Sequence, residues 1–181
     1  NFWDGIDRNM GADTKVYFTW LSSSSGALEM EETQRIRGQG AHGADVFTTQ
    51  KGTRLLTVPF YYGCGSNRGP APTGANECAS TLVMKWNKTT SRFSETKRLH
   101  TAGPAQTNHF MTRDGTSFLL VGENFNDQVC LYRIEETSSS HADAGASDAE
   151  LEFVKHQCLA VPGGGSMAVA EAGEELVLVA S

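Results

Sequence analysis

Positive charge is in short supply in this 181-residue chain. Its 15 Lys and Arg face 21 Asp and Glu, giving a formal charge of −6 and a pI of about 5.3. With no basic stripe to neutralise phosphates, nucleic acid is excluded as a primary partner. Long apolar runs are also missing. The longest, such as Glu175 to Ser181, fall far short of a membrane span, so no membrane insertion is expected of this segment. Proline is scarce, at 5 residues, which excludes a Pro-rich linker, and the 19 glycines follow no collagen period. No Cys-x-x-Cys pair, Gly-x-Ser-x-Gly elbow or Asp-x-Asp-x-Asp-Gly loop occurs. Gly163-Gly164-Gly165-Ser166 lacks the lysine of a phosphate loop. No signal peptide is visible and the first residue is Asn1, so the chain is expected to be processed, truncated or given in part. No stretch carries a convincing helical period; Glu29 to Arg37 comes nearest, and its flanks fit a strand better.

What is present is repetition. Val16-Tyr17-Phe18-Thr19-Trp20 is followed by a Ser-rich turn and by Thr33-Gln34-Arg35-Ile36. Then come Gly43-Ala44-Asp45-Val46-Phe47, Lys51-Gly52 and Leu55-Leu56-Thr57-Val58. The same order recurs from Leu82-Val83-Met84-Lys85-Trp86, through Lys97-Arg98-Leu99 and Asn108-His109-Phe110, to Asp114-Gly115 and Phe118-Leu119-Leu120-Val121. It recurs again from Val129-Cys130-Leu131-Tyr132-Arg133, through Gln157-Cys158-Leu159 and Ser166-Met167-Ala168-Val169, to Leu176-Val177-Leu178-Val179. The turn glycines Gly52, Gly115 and Gly173 fall about 60 residues apart. In this alignment Trp20 matches Trp86, and Arg133 takes the third slot. Each unit reads as four short strands joined by polar turns, and Asp114-Gly115 is a strong hairpin signal.

Four strands per repeat are the pattern of a β-propeller blade. The expected fold is all-β: a propeller section of about three four-stranded blades, with units near 1–60, 61–123 and 124–181. A β-sandwich of unrelated strands leaves the recurrence unexplained. Residues 63–79 form a Gly/Pro-rich insert, and residues 135–150 read as a flexible loop.

Val83-Met84-Lys85-Trp86, Gly43-Ala44-Asp45-Val46-Phe47 and Phe118-Leu119-Leu120-Val121-Gly122-Glu123-Asn124-Phe125 resemble the EAR repeat, also called EPTP or epitempin. Asn1-Phe2 matches Asn124-Phe125, and the resemblance covers nearly the whole chain. It implies a seven-bladed propeller, secreted or on an ectodomain, that recognises other proteins in adhesion. Gly164-Gly165-Ser166 in place of Gly-Ala-Asp departs from it. Three blades cannot close a ring, so a longer propeller or other protein chains are expected to complete the fold.

Cys64 and Cys78 bracket the insert, and a disulfide there would remove roughly 3 kcal/mol of unfolded-state freedom. Cys130 and Cys158 fall opposite each other if their strands pair near the middle. Both pairings imply an oxidising compartment; the alternative is four reduced thiols inside the cell. Asn87-Lys88-Thr89 is an N-glycosylation acceptor at an expected turn. Tyr61 and Tyr62, beside the insert, and Arg68 within it form the candidate binding patch.

No cofactor is implied. Asp45, with Asn108 and Ser166 in matching slots, offers at most a thin calcium site, and a structural turn role suits it better. The runs Asp4 to Asp7 and Asn124 to Asp127 are only loosely calcium-like. Of His42, His100, His109, His141 and His156, two (His42 and His109) would face a channel with Asp45 and Asn108 if the axis held a catalytic or sugar-binding site. The leading expectation is a non-catalytic extracellular or cell-surface binding module. A structural subunit joined through open blade edges is the other reading.

Overall fold

The computed structural model describes residues 13–38, 40–61, 80–137, 150–163, 166–172 and 175–180. Among them the fold is all-β and antiparallel, with no α-helix. Twelve strands run in chain order: β1 Thr14–Leu21, β2 Leu28–Ile36, β3 Asp45–Thr48, β4 Arg54–Phe60, β5 Ser80–Asn87, β6 Arg92–His100, β7 Pro104–Met111, β8 Ser117–Glu123, β9 Gln128–Thr137, β10 Glu150–Ala160, β11 Met167–Ala172 and β12 Glu175–Ala180. They form four sheets: β1-β2, β3-β4-β5-β6, β7-β8-β9-β10 and β11-β12. The described residues close no ring.

The sheets stack face to face in that order, with an apolar layer in each gap. Ile36 meets Leu56, Val58, Phe60, Leu82, Met84 and Phe93 in the first. Phe47, Leu55, Val83 and Leu99 meet Leu119, Val121, Cys130, Tyr132 and Phe153 in the second. Leu120 and Val129 meet Met167 in the third. Central strands therefore bury both faces: β4 is buried from Leu55 to Phe60 and β5 from Ser80 to Met84. That is why they read as unbroken apolar runs and not as alternation. Each fully buried Leu or Val contributes about 1.5–3 kcal/mol. The inner strand β7 lies against β3 and β11, and Gly43 bridges to Gln106 in parallel.

Two hairpins are superposable in their bonding. Thr49 N–H donates to Thr53 O and Gly52 N–H to Thr49 O; Thr112, Thr116 and Gly115 repeat both bonds. Gly52 and Gly115 sit at φ +84° and +86°, where a side chain would be strained.

The repeat and the sheet are out of phase. Each four-stranded unit of sequence supplies the outer pair of one sheet and the inner pair of the next. Unit 61–123, for example, holds β5-β6 and β7-β8. Strand pairing shifts the alignment of the units by one residue, and each outer hairpin carries one bulge. The register breaks between Val16 and Tyr17, between Val83 and Met84, and across from Lys155/Gln157, where Leu131 and Tyr132 lie. Arg133 opposes Phe118 as Lys85 opposes Leu55, so Arg133 takes the Lys85 slot and Ile134 that of Trp86. By the same count Thr19, not Trp20, matches Trp86. Trp86 packs edge-on to Phe93 and Phe18, at 5.0 and 5.4 Å. Trp20, by contrast, is 43 % exposed. The expected loop at 135–150 is shorter than read: Glu135 to Thr137 end β9 and Glu150 begins β10. Residues 138–149, the insert 63–79, Asn1-Phe2, Trp3, Asp4 to Asp7, His141 and Gly173 lie outside the described residues.

Candidate functional site

Asp45 and His109 meet where β3 and β7 run side by side. The His109 N–H donates to Asp45 Oδ2 at 2.7 Å. The imidazole lies flat on Phe47, with centroids 4.0 Å apart and planes 3° from parallel. Burial holds His109 below the ordinary histidine range, against a smaller upward pull from Asp45. Its Nε2 is buried without a hydrogen-bond partner. His42 does not join them; its ring lies 5.3 Å from Tyr61. Asn108 neighbours His109 along β7 and projects to the opposite face. Among the described residues no three His, Cys, Asp or Glu are grouped to hold a metal ion. One Asp45 oxygen instead fastens one inner strand to the next.

Tyr61 is half-buried at the junction of two sheets. Its ring packs edge-on to Phe125 at 4.9 Å, and Asn124 Nδ2 donates to its hydroxyl at 3.4 Å. The Asn124 and Phe125 N–H groups donate to Gly103 O and Ala102 O. A Cβ on Gly103 would fall 2.6 Å from the Phe125 ring. The Glu-Asn-Phe run thus locks the end of β8 to the link that precedes β7. Tyr62, Cys64, Arg68 and Cys78 lie outside the described residues.

Glu123 was not singled out in the sequence, yet it is buried at 2 % exposure. Its Oε2 accepts from Asn126 Nδ2 at 3.1 Å and Gln128 Nε2 at 2.9 Å, and its Oε1 from the Tyr132 hydroxyl at 3.4 Å. Lys155 Nζ stands 3.9 Å away. Burial, reinforced by the Glu123 charge, raises the Tyr132 phenol far above its usual range. Two glutamines were also missed. Gln34 reaches from β2 to the backbone of Phe93, and Gln106 from β7 to that of Met167.

Cys130 and Cys158 face each other across β9 and β10, with Cα atoms 4.1 Å apart, and form a disulfide. The spacing is close to that of a non-hydrogen-bonded cross-strand pair. Asn87 is exposed at the β5-β6 turn, where its side-chain oxygen accepts from the Thr89 and Thr90 N–H groups. A polar cleft of about 230 Å³ opens between the two like hairpins and the end of β9. There Thr49 Oγ1 donates to Glu136 Oε2 at 2.9 Å, and Arg133 pairs with Glu135.

Comparison with protein-family models and with curated proteins finds no match for the chain. The class this defines is all-β: stacked antiparallel sheets with one disulfide among the described residues.

Proposed function

We propose that this chain is a section of an extracellular or cell-surface β-propeller of the EAR type, and that it binds other proteins without catalysis. The observation that carries the reading is the strand order. Sheets stack face to face, and the inner strands β3, β7 and β11 gather at one edge, as blades do about an axis. The Cys130–Cys158 bond fits an oxidising compartment, and exposed Asn87 fits a glycan. The axial candidates are committed elsewhere: Asp45 to the His109 N–H, and His109 to a stack on Phe47. That favours a structural edge over a catalytic or sugar-binding one. Tyr62 and Arg68 belong to the proposed contact loop. Tyr61, the third residue of the proposed patch, packs edge-on to Phe125.

The test is binding of secreted, labelled protein to intact cells. Tyr62→Ala with Arg68→Glu lowers binding while the far-UV spectrum is unchanged. Full binding by that double variant removes the loop from the contact surface.

A further inference from the structure

The negative charge of the chain is not spread evenly over its outer hairpins. Strand β5, its turn and β6, residues 80–100, hold Lys85, Lys88, Arg92, Lys97 and Arg98 against Glu95 alone. The hairpin thus carries +4 in a chain of −6, and all other residues together carry −10. The equivalent hairpins have the opposite sign. Hairpin β1-β2 sets Lys15 and Arg35 against Glu29, Glu31 and Glu32. Strands β9 and β10 set Arg133 and Lys155 against Glu135, Glu136, Glu150 and Glu152. Strand β6 is the edge of its sheet, as β10 is of the next. Charge of either sign protects an edge from pairing with another chain, so edge protection does not explain why this one is basic.

The cations are placed together. The pairing of β5 with β6 sets Asn87 opposite Arg92, Lys85 opposite Ser94 and Val83 opposite Lys97. Lys85, Arg92 and Lys97 therefore share one face of the hairpin. Lys85 lies diagonally between the other two, a spacing of about 7–8 Å in a regular ladder. Lys88 stands in the turn. Glu95 and Arg98 oppose Met84 and Leu82 on the other face, where they pair with each other at 2.7 Å. Lys88, Arg92 and Lys97 are exposed and make no ion pair among the described residues, whereas Arg35, Arg98 and Arg133 are each held by a glutamate.

Lys97 also breaks the repeat. Counted from the bulge, it stands where β2 has Gln34 and β10 has Gln157. Gln34 ties its sheet to the next through the Phe93 backbone. Lys97 makes no such tie, so the stacking of the sheets gains nothing from it.

We propose that this face of β5-β6 binds a sulfated polysaccharide, with Lys88, Arg92 and Lys97 pairing with its sulfates. A linear, flexible polyanion fits a strip one hairpin wide. A nucleic-acid duplex is broader and would meet the acidic hairpins on either side. Strand β6 exposes no aromatic ring on which single-stranded bases would stack, since Phe93 is buried. The choice of a polysaccharide over other polyanions also rests on the extracellular reading proposed above.

The test is binding of the purified chain to a heparin oligosaccharide over a salt series. Asn87 opposes Arg92, so any glycan there is first trimmed to its first sugar. The expected result is an affinity that falls steadily with salt. Arg92→Gln with Lys97→Gln weakens binding about tenfold or more and lowers the salt slope by about 1–2. Removing two cations from β1-β2, Lys15→Gln with Arg35→Gln, changes it by less than about twofold. Lys97→Gln alone weakens binding without lowering the unfolding midpoint, because it restores the residue of the other two sheets. All four positions are exposed, so the strand spectrum is kept. No binding at about 0.15 M salt overturns the proposal. An equal loss in the two double variants also overturns it, since net charge alone would then explain binding. So does equal affinity for a single-stranded DNA of matching charge. The variant at Tyr62 and Arg68 leaves this hairpin intact, and purified protein reads the hairpin whatever the compartment, so the two readings fail separately.

Discussion

Gln34 and Phe93 sit 59 residues apart and bond as two strands would. Gln34 Nε2 donates to Phe93 O at 2.7 Å, and the Phe93 N–H donates to Gln34 Oε1 at 2.8 Å. A primary amide presents the same donor and acceptor as a peptide group, so one side chain replaces one rung of a ladder between sheets. Gln106 and Met167 repeat the device on the inner edge. Gln34→Ala is expected to cost about 1–3 kcal/mol, two net hydrogen bonds at a part-buried site. Urea unfolding measures it; a cost within error would mean that water replaces the bond.

Glu123 holds the end of β8 together through Asn126, Gln128 and Tyr132. Glu123→Ala leaves those donors facing a void and is expected to lose about 3 kcal/mol. Glu123→Gln keeps the volume and loses less. An equal loss for both variants would assign the whole effect to charge.

His109 titrates below the ordinary histidine value of 6.5 because it is buried. The unfolded chain therefore binds the proton more tightly than the folded one. Stability is full above about pH 6.5 and falls as the pH drops toward the folded value. Paired carboxylates such as Glu32, held low chiefly by Arg35, lose their contribution only at lower pH. His109→Phe keeps the stack on Phe47 and removes the titration. Its unfolding midpoint is expected to change less between pH 7.5 and 5 than that of the unsubstituted chain.

The Cys130–Cys158 bond closes a loop of 28 residues in sequence. Loop entropy alone gives about 3–4 kcal/mol. Replacing both cysteines by serine is expected to lower stability by that order in denaturant titration, with the strand spectrum kept.

The strands, the Thr112–Thr116 hairpin and the opposition of Cys130 to Cys158 were legible in the sequence. Each depends on local period, turn chemistry or spacing. The phase of the repeat against the sheets was not, because a four-strand unit can be cut at any turn without changing its pattern. The register was equally silent: the pairing of β8 with β9 puts Ile134, not Arg133, into the slot of Trp86. Gln34 and Gln106 carried no signal in the sequence, since their partners lie 59 and 61 residues away. His109 looked like an axial polar group, but its flat stack on Phe47 arises only once β3 and β7 are adjacent.

The extracellular module proposed above depends on the Cys130–Cys158 bond and on a glycan at Asn87. The most direct measurement is the intact mass of the protein secreted from eukaryotic cells, before and after reduction and deglycosylation. The expected result is a rise of about 2 Da on reduction for Cys130–Cys158, as two thiols gain hydrogen, and a glycan mass that Asn87→Gln abolishes. Free thiols at both cysteines with no glycan at Asn87 would contradict it.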